Sequence, residues 1–175
     1  MKMVRSFIYV VLMTFATTMY SQHVHPHEDA HKGIRIAALI GHTMIKSEGS
    51  DAHLFIPSWG LDIEYWISNK WGIGLHNDIE IESFIVVTKG EEDIERINPL
   101  VVTLDALYHF KSGLVLSGGP GVELAEGESF YLFRFGAELE VPISNGFDVV
   151  PSIFFDQRFD GFSTWTVALG IGKHF

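Results

Sequence analysis

Three features of the sequence predict an all-β fold, an eight-stranded antiparallel up-and-down transmembrane β-barrel. The last segment, Phe162–Phe175, alternates strictly: Trp165, Val167, Leu169, Ile171 and the terminal Phe175 are separated by Thr164, Thr166, Ala168, Gly170, Gly172 and His174. Period two places alternate residues on opposite faces of a strand, and a terminal aromatic on such a strand suits a membrane barrel. Seven further segments can be read as strands, and the connections between them alternate between tight and long. Finally, the chain opens on a secretion signal.

Lys2 and Arg5 precede an uncharged stretch from Ser6 to Thr18, apolar at Phe7, Ile8, Val10, Val11, Leu12, Met13, Phe15 and Ala16. A positive start, a short apolar core and a polar exit describe a signal peptide, and the core is too short to span a bilayer. Cleavage is expected after Ser21. This divides the chain into a signal peptide (1–21), a His-rich flexible periplasmic tail (22–33) and a barrel (34–175). There is no cysteine, which excludes disulfides and thiolate chemistry. Of 12 Lys and Arg, Lys2 and Arg5 leave with the signal; the remaining 10 face 22 Asp and Glu, a net charge of −12 with His neutral. Nucleic acid is thereby excluded as a partner, because phosphate binding needs clustered bases.

The expected strands are Ile34–Ile45, His53–Ile67, Ile73–Val87, Leu100–Phe110, Leu114–Ala125, Phe130–Ile143, Phe147–Arg158 and Phe162–Phe175. In the second, Phe55, Trp59, Leu61, Ile63, Tyr65 and Ile67 share one face, and Ser58, Gly60, Asp62 and Glu64 the other. The third sets Ile73, Leu75, Ile79, Ile81, Ile85 and Val87 against Gly74, His76, Asp78, Glu80 and Glu82. The sixth sets Tyr131, Phe133, Phe135, Ala137, Leu139, Val141 and Ile143 against Arg134, Glu138 and Glu140. Ser68–Gly72, Lys111–Gly113 and Ser144–Gly146 are tight turns, whereas Lys46–Ala52 and Thr88–Pro99 are longer and charged. Ala125–Ser129 and Phe159–Gly161 are shorter but contain Gly and acids. Short turns at one end and long loops at the other match periplasmic and extracellular ends, and an even strand count puts both termini in the periplasm. Pairing of Phe110 with Leu114 and of Ile143 with Phe147 leaves three-residue loops ending in Gly113 and Gly146, where a left-handed residue is wanted.

Period two does not say which face is inside. A soluble, lipocalin-like barrel would turn its apolar face inward; a membrane barrel does the reverse. Here the aromatics are sorted by height. Tyr65, Trp71, Tyr108, Phe110, Phe147 and Phe175 lie near the short turns, and Trp59, Phe84, Tyr131, Phe133, Phe159 and Trp165 toward the long loops. Ile63, Leu75, Leu104, Ala106, Leu116 and Leu139 lie between. Two aromatic girdles around an aliphatic band are selected by two lipid–water interfaces, so the apolar face is read as outward.

On strand count, loop asymmetry, girdles and the terminal Phe175, nearly all of the mature chain resembles the small eight-stranded outer-membrane proteins, the group that includes the OmpA transmembrane domain, OmpX and OmpW. The resemblance implies the outer membrane of a Gram-negative-type bacterium and a lipid environment. It also implies an insertion machinery that recognises the aromatic-ended strand from Trp165 to Phe175. A monomer is expected. It implies no activity, because fold alone does not fix function.

The polar, inward face holds Asp62, Glu64, Asp78, Glu80, Glu82, Asp105, Glu123, Glu138, Glu140, Asp148 and Asp156, against Arg35, Arg134 and Arg158, with His76 and His109. Counted up from the short turns, Asp62, Asp78, Asp105 and Glu138 fall at similar height. The interior group Asp62, Glu64, His76, Asp78, Asp105, Glu138 and Glu140 is therefore either an ordinary hydrated barrel interior or a cation site. No cofactor is required. The tail offers His23, His25, His27 and His31, beside Glu28 and Asp29, as ligands for Zn²⁺, Cu²⁺ or Ni²⁺, or serves only as a polar leader. A lipid-modifying enzyme would need Ser129 or Ser163 beside a base such as His42 or His53, and no triad can be assigned from spacing. The expected role is structural or envelope-interacting, with cation handling as the alternative. Metal binding by the tail is checked by calorimetry on the peptide Gln22–Lys32. Affinity should be highest for Cu²⁺ and fade as pH falls through about 6.5, where imidazole protonates. No heat of binding from the peptide would leave a plain leader.

Overall fold

The computed structural model describes residues 32–46, 53–87, 93–126, 129–159 and 161–175. The expected signal peptide and all four tail histidines lie outside these residues. The described strands are β1 (Gly33–Lys46), β2 (His53–Trp66), β3 (Trp71–Glu80), β4 (Phe84–Val87), β5 (Asp93–Arg96), β6 (Leu100–His109), β7 (Leu114–Leu124), β8 (Phe130–Leu139), β9 (Val141–Ser144), β10 (Phe147–Arg158) and β11 (Ser163–His174).

The wall consists of β1, β2, β3, β6, β7, β8, β10 and β11, each antiparallel to its neighbours. β11 pairs with both β10 and β1, the latter from Arg35↔His174 to Ile45↔Thr164. The sheet therefore closes into an eight-stranded barrel and leaves no free edge. β9 continues the line of β8 down to the last short turn and pairs with β10. Every wall strand has ten or more residues, enough for a tilted strand to cross a bilayer's hydrocarbon.

The turns show how local sequence sets register. Phe110 N donates to Leu114 O at 2.8 Å, Gly113 N donates to Phe110 O at 3.0 Å, and Gly113 sits at φ +83°, as expected. The other hairpin differs. Ser144, not Ile143, pairs with Phe147, leaving a two-residue loop of Asn145 (φ +53°) and Gly146 (φ +77°). Positive φ at both centres is the turn that Asn-Gly favours, because its twist matches the strands. The register then shifts between Phe147 and Asp148, so that Asp148 faces Pro142 and the expected facing is restored. A bulge absorbs the extra residue.

The third expected strand, 73–87, is also corrected. The wall strand starts earlier, at Trp71, and ends at Glu80; Phe84–Val87 pairs instead with Asp93–Arg96 in a separate hairpin. Two assignments change with it. Glu82, expected inside, is exposed. Phe84, expected in the upper girdle, is buried with Ile45, Ile56 and Val86, and Ile94 and Phe162 pack against them.

The other girdle residues keep their outward positions. Trp59 is 62% exposed, Tyr131 76% and Phe175 70%. Edge-to-face contacts link Trp71 to Tyr108 and Tyr108 to Phe110, with centroids 4.7 and 4.8 Å apart. Inside, the pattern inverts: Asp62, Glu64, His76, Asp105, Glu123 and Arg134 are all buried. This is the reverse of a soluble barrel, whose charged face meets water.

Candidate functional site in the barrel interior

Each wall strand contributes alternate residues to the interior, and the same vertical order is met on several strands. From the short-turn end upward, β2 presents Glu64 then Asp62, β3 presents His76, Asp78 and Glu80, and β8 with its extension presents Glu140, Glu138 and Arg134. Ten carboxylates and four guanidinium groups are buried there. Charges removed from water need partners, and the partners fall into layers.

Lowest is Arg35. It ion-pairs with Glu64, donates to Asp148 Oδ1 at 2.8 Å and lies 3.5 Å from Glu140. Trp66 Nε1 donates to the other Glu64 oxygen at 2.7 Å. His174 Nε2 stands 3.6 Å from Asp148 and 3.7 Å from Glu140. Trp66, Leu107 and Val115 form an apolar floor beside this layer.

Two levels higher is Arg134, which grips Asp156 with two parallel bonds of 2.7 Å and ion-pairs with Asp78. The fork of a guanidinium suits this bidentate geometry. Its plane also lies over the Phe154 ring, 4.9 Å from the centroid.

Highest is Glu123, held between Arg96 and Arg158. Arg96 Nε donates to one oxygen at 2.8 Å, Arg158 pairs with the other, and Arg158 Nη1 also reaches Thr164 at 3.1 Å. Both cations stack on aromatics, Phe130 and Phe162. Arg96 was not among the interior bases expected from sequence. It lies in a stretch that reads as a charged loop, and only the alternation of Ile94 and Arg96 in a short hairpin strand could have signalled it. That hairpin turns Phe84, Val86 and Arg96 into the mouth of the barrel.

Between the Arg35 and Arg134 layers lies a layer without arginine. Asp62, His76 and Glu138 come together there, each offering an atom within 4.8 Å of the others'. His76 Nδ1 stands 2.9 Å from Asp105 Oδ2, which also accepts from Thr103 Oγ1 at 2.7 Å. Gly74 permits this arrangement: a Cβ there would lie 2.5 Å from His76 Nε2. Of the expected seven-residue interior group, Asp62, His76, Asp105 and Glu138 are thus brought together. Glu64 and Glu140 belong to the Arg35 layer, and Asp78 belongs to Arg134. Height counted from the turns fails for Asp78 because tilted strands in a closed barrel are staggered.

Comparison with known proteins agrees with this geometry. No protein-family model matches the sequence, and no curated protein matches it significantly. Solved structures do. The chain is similar to Ail, the attachment invasion locus protein of Yersinia pestis, at 18% identity and a TM-score of 0.57, covering 82% of this chain and 99% of that one. Neisserial surface protein A is 13% identical with a TM-score of 0.59, over 82% and 98% of the two chains. The fold is that of the small eight-stranded outer-membrane β-barrels. A third such structure, the N-terminal barrel of Pseudomonas aeruginosa OprF, has 15% identity and a TM-score of 0.54, over 81% and 97%. At these identities the likeness concerns the fold alone.

Proposed function

We propose that the protein resides in the outer membrane of a Gram-negative-type bacterium with both termini periplasmic. There it serves a structural or envelope-interacting role through its loop end, without enzymatic activity. The observation that carries the reading is the inverted distribution: charge and ion pairs inside, and an outward band in which Ile63, Leu75 and Leu104 are 42%, 41% and 58% exposed. Such a surface is compatible with lipid and not with water. Trp66, Leu107 and Val115 at one end of the lumen, and Ile45, Ile56, Phe84 and Val86 at the other, favour a sealed anchor over a conduit.

Two of the residues expected for lipid chemistry support the same reading. Ser163 Oγ donates to Gln157 Oε1 at 2.9 Å, and His42 is exposed on the outward face of β1. A nucleophile needs a base within hydrogen-bond reach, and this serine is committed to an amide instead.

The test is fractionation with a folding readout. The protein should be recovered in the detergent-extracted outer-membrane fraction and show heat-dependent gel mobility. Deleting Phe175, whose N–H donates to Ile34 O at 2.9 Å and whose ring is a girdle anchor, should lower the heat-modifiable fraction. Recovery as a soluble periplasmic monomer would overturn the membrane reading. Steady single-channel conductance, or phospholipid hydrolysis by the purified barrel, would overturn the assigned role.

A further inference from the structure

We propose that Asp62, His76 and Glu138 form a divalent transition-metal site, of the kind that takes Zn²⁺, joining β2, β3 and β8 across the lumen. Their donor atoms converge within 4.8 Å, so small side-chain rotations bring them to bonding distance. All three residues are almost completely buried, at 1%, 0% and 2% exposure.

The second observation is what the convergence leaves undone. Asp62 Oδ2, His76 Nε2 and both carboxylate oxygens of Glu138 are buried with no hydrogen-bond partner among the described residues. Buried polar atoms are normally satisfied, and a carboxylate with neither oxygen engaged is costly. The arginines are engaged elsewhere: Arg35 with Glu64 and Asp148, Arg134 with Asp78 and Asp156, Arg96 and Arg158 with Glu123. A divalent ion in this gap would offset two of the three negative charges on Asp62, Asp105 and Glu138. It would also engage the open atoms of Asp62, His76 and Glu138 together.

The surroundings suit coordination. Asp105 Oδ2 stands 2.9 Å from His76 Nδ1, where a carboxylate favours the proton on that nitrogen and leaves Nε2 to bind. A carboxylate behind a ligating histidine fixes its tautomer and ring orientation. One imidazole with two carboxylates favours Zn²⁺ and similar ions over Mg²⁺ or Ca²⁺, which prefer oxygen alone. β8 borders neither β2 nor β3, so the ion would tie opposite walls. The site is enclosed by the layers above and below, so metal must be present while the strands close.

The test uses the full chain with His23, His25, His27 and His31 changed to Ala, which removes the tail as a competitor. It is refolded from denaturant into detergent with Zn²⁺, then freed of loose metal. The expected result is one Zn²⁺ per chain, with an absorption-edge shell of nitrogen and oxygen that includes a single imidazole. Glu138→Gln and His76→Gln should lose the ion, and Asp105→Asn should weaken it about 10–100-fold. A heat-modifiable barrel that retains no Zn²⁺, or a shell without imidazole, overturns the site. So does equal retention of Ca²⁺ or Mg²⁺, or of Zn²⁺ by folded Glu138→Gln. Should the substituted chains fail to fold, metal content and the shell of the parent chain decide the matter alone.

Discussion

Replacing Arg134 by Met is expected to destabilise the barrel by about 3–5 kcal/mol, as for removing one partner of a buried ion pair. The guanidinium is 1% exposed and is the cation that Asp78 and Asp156 share. Its removal leaves two carboxylates enclosed between β3 and β10 with their charge uncompensated. Equilibrium unfolding in detergent or lipid vesicles measures the loss. The companion variant, Arg134→Met with Asp78→Asn and Asp156→Asn, should regain most of it. That recovery separates the cost of stranded charge from the loss of packing on Phe154. A single-variant loss below about 1 kcal/mol would mean that water reaches these carboxylates and that the ion pairs do not organise the interior.

Leu75→Arg is expected to cost about 2–4 kcal/mol by the same measurement, as for a cation at the bilayer midplane. Leu75 faces outward and is flanked in register by Ile63 on β2 and Leu104 on β6, at the centre of the aliphatic band. On a water-facing surface the same change would stay within about 0.5 kcal/mol. The substitution therefore distinguishes lipid from water on the outer face. Leu104→Arg, on the facing strand, should behave alike.

The wall and its sidedness were legible in the sequence because both follow from local rules. Alternation at Trp165, Val167, Leu169 and Ile171 requires only period two, and Gly113 only a left-handed turn position. The sorting of Trp59 and Tyr65 to different heights requires only that aromatics prefer interfaces. Even the last short turn shows the limit of such rules: Asn145-Gly146 favours a two-residue turn, and a bulge at Phe147 repairs the facing. Local preference chose the turn, and the closed sheet chose the repair.

What only the tertiary structure decided is which charges meet. Whether Asp78 joins Asp62 or Arg134 depends on the stagger of tilted strands, a property of the closed barrel and not of any segment. Arg96 lies in a stretch whose charges read as loop, and Phe84 in one that reads as wall strand, yet their hairpin turns both into the barrel mouth, where Arg96 meets Glu123. Asp62, His76 and Glu138 come from β2, β3 and β8, as many as 76 positions apart in sequence from Asp62 to Glu138. The sequence by itself determined a barrel with charge on one face and lipid-compatible residues on the other, because each strand carries that contrast locally. Only closure determined the pairing inside, because it brings together side chains that no local spacing relates.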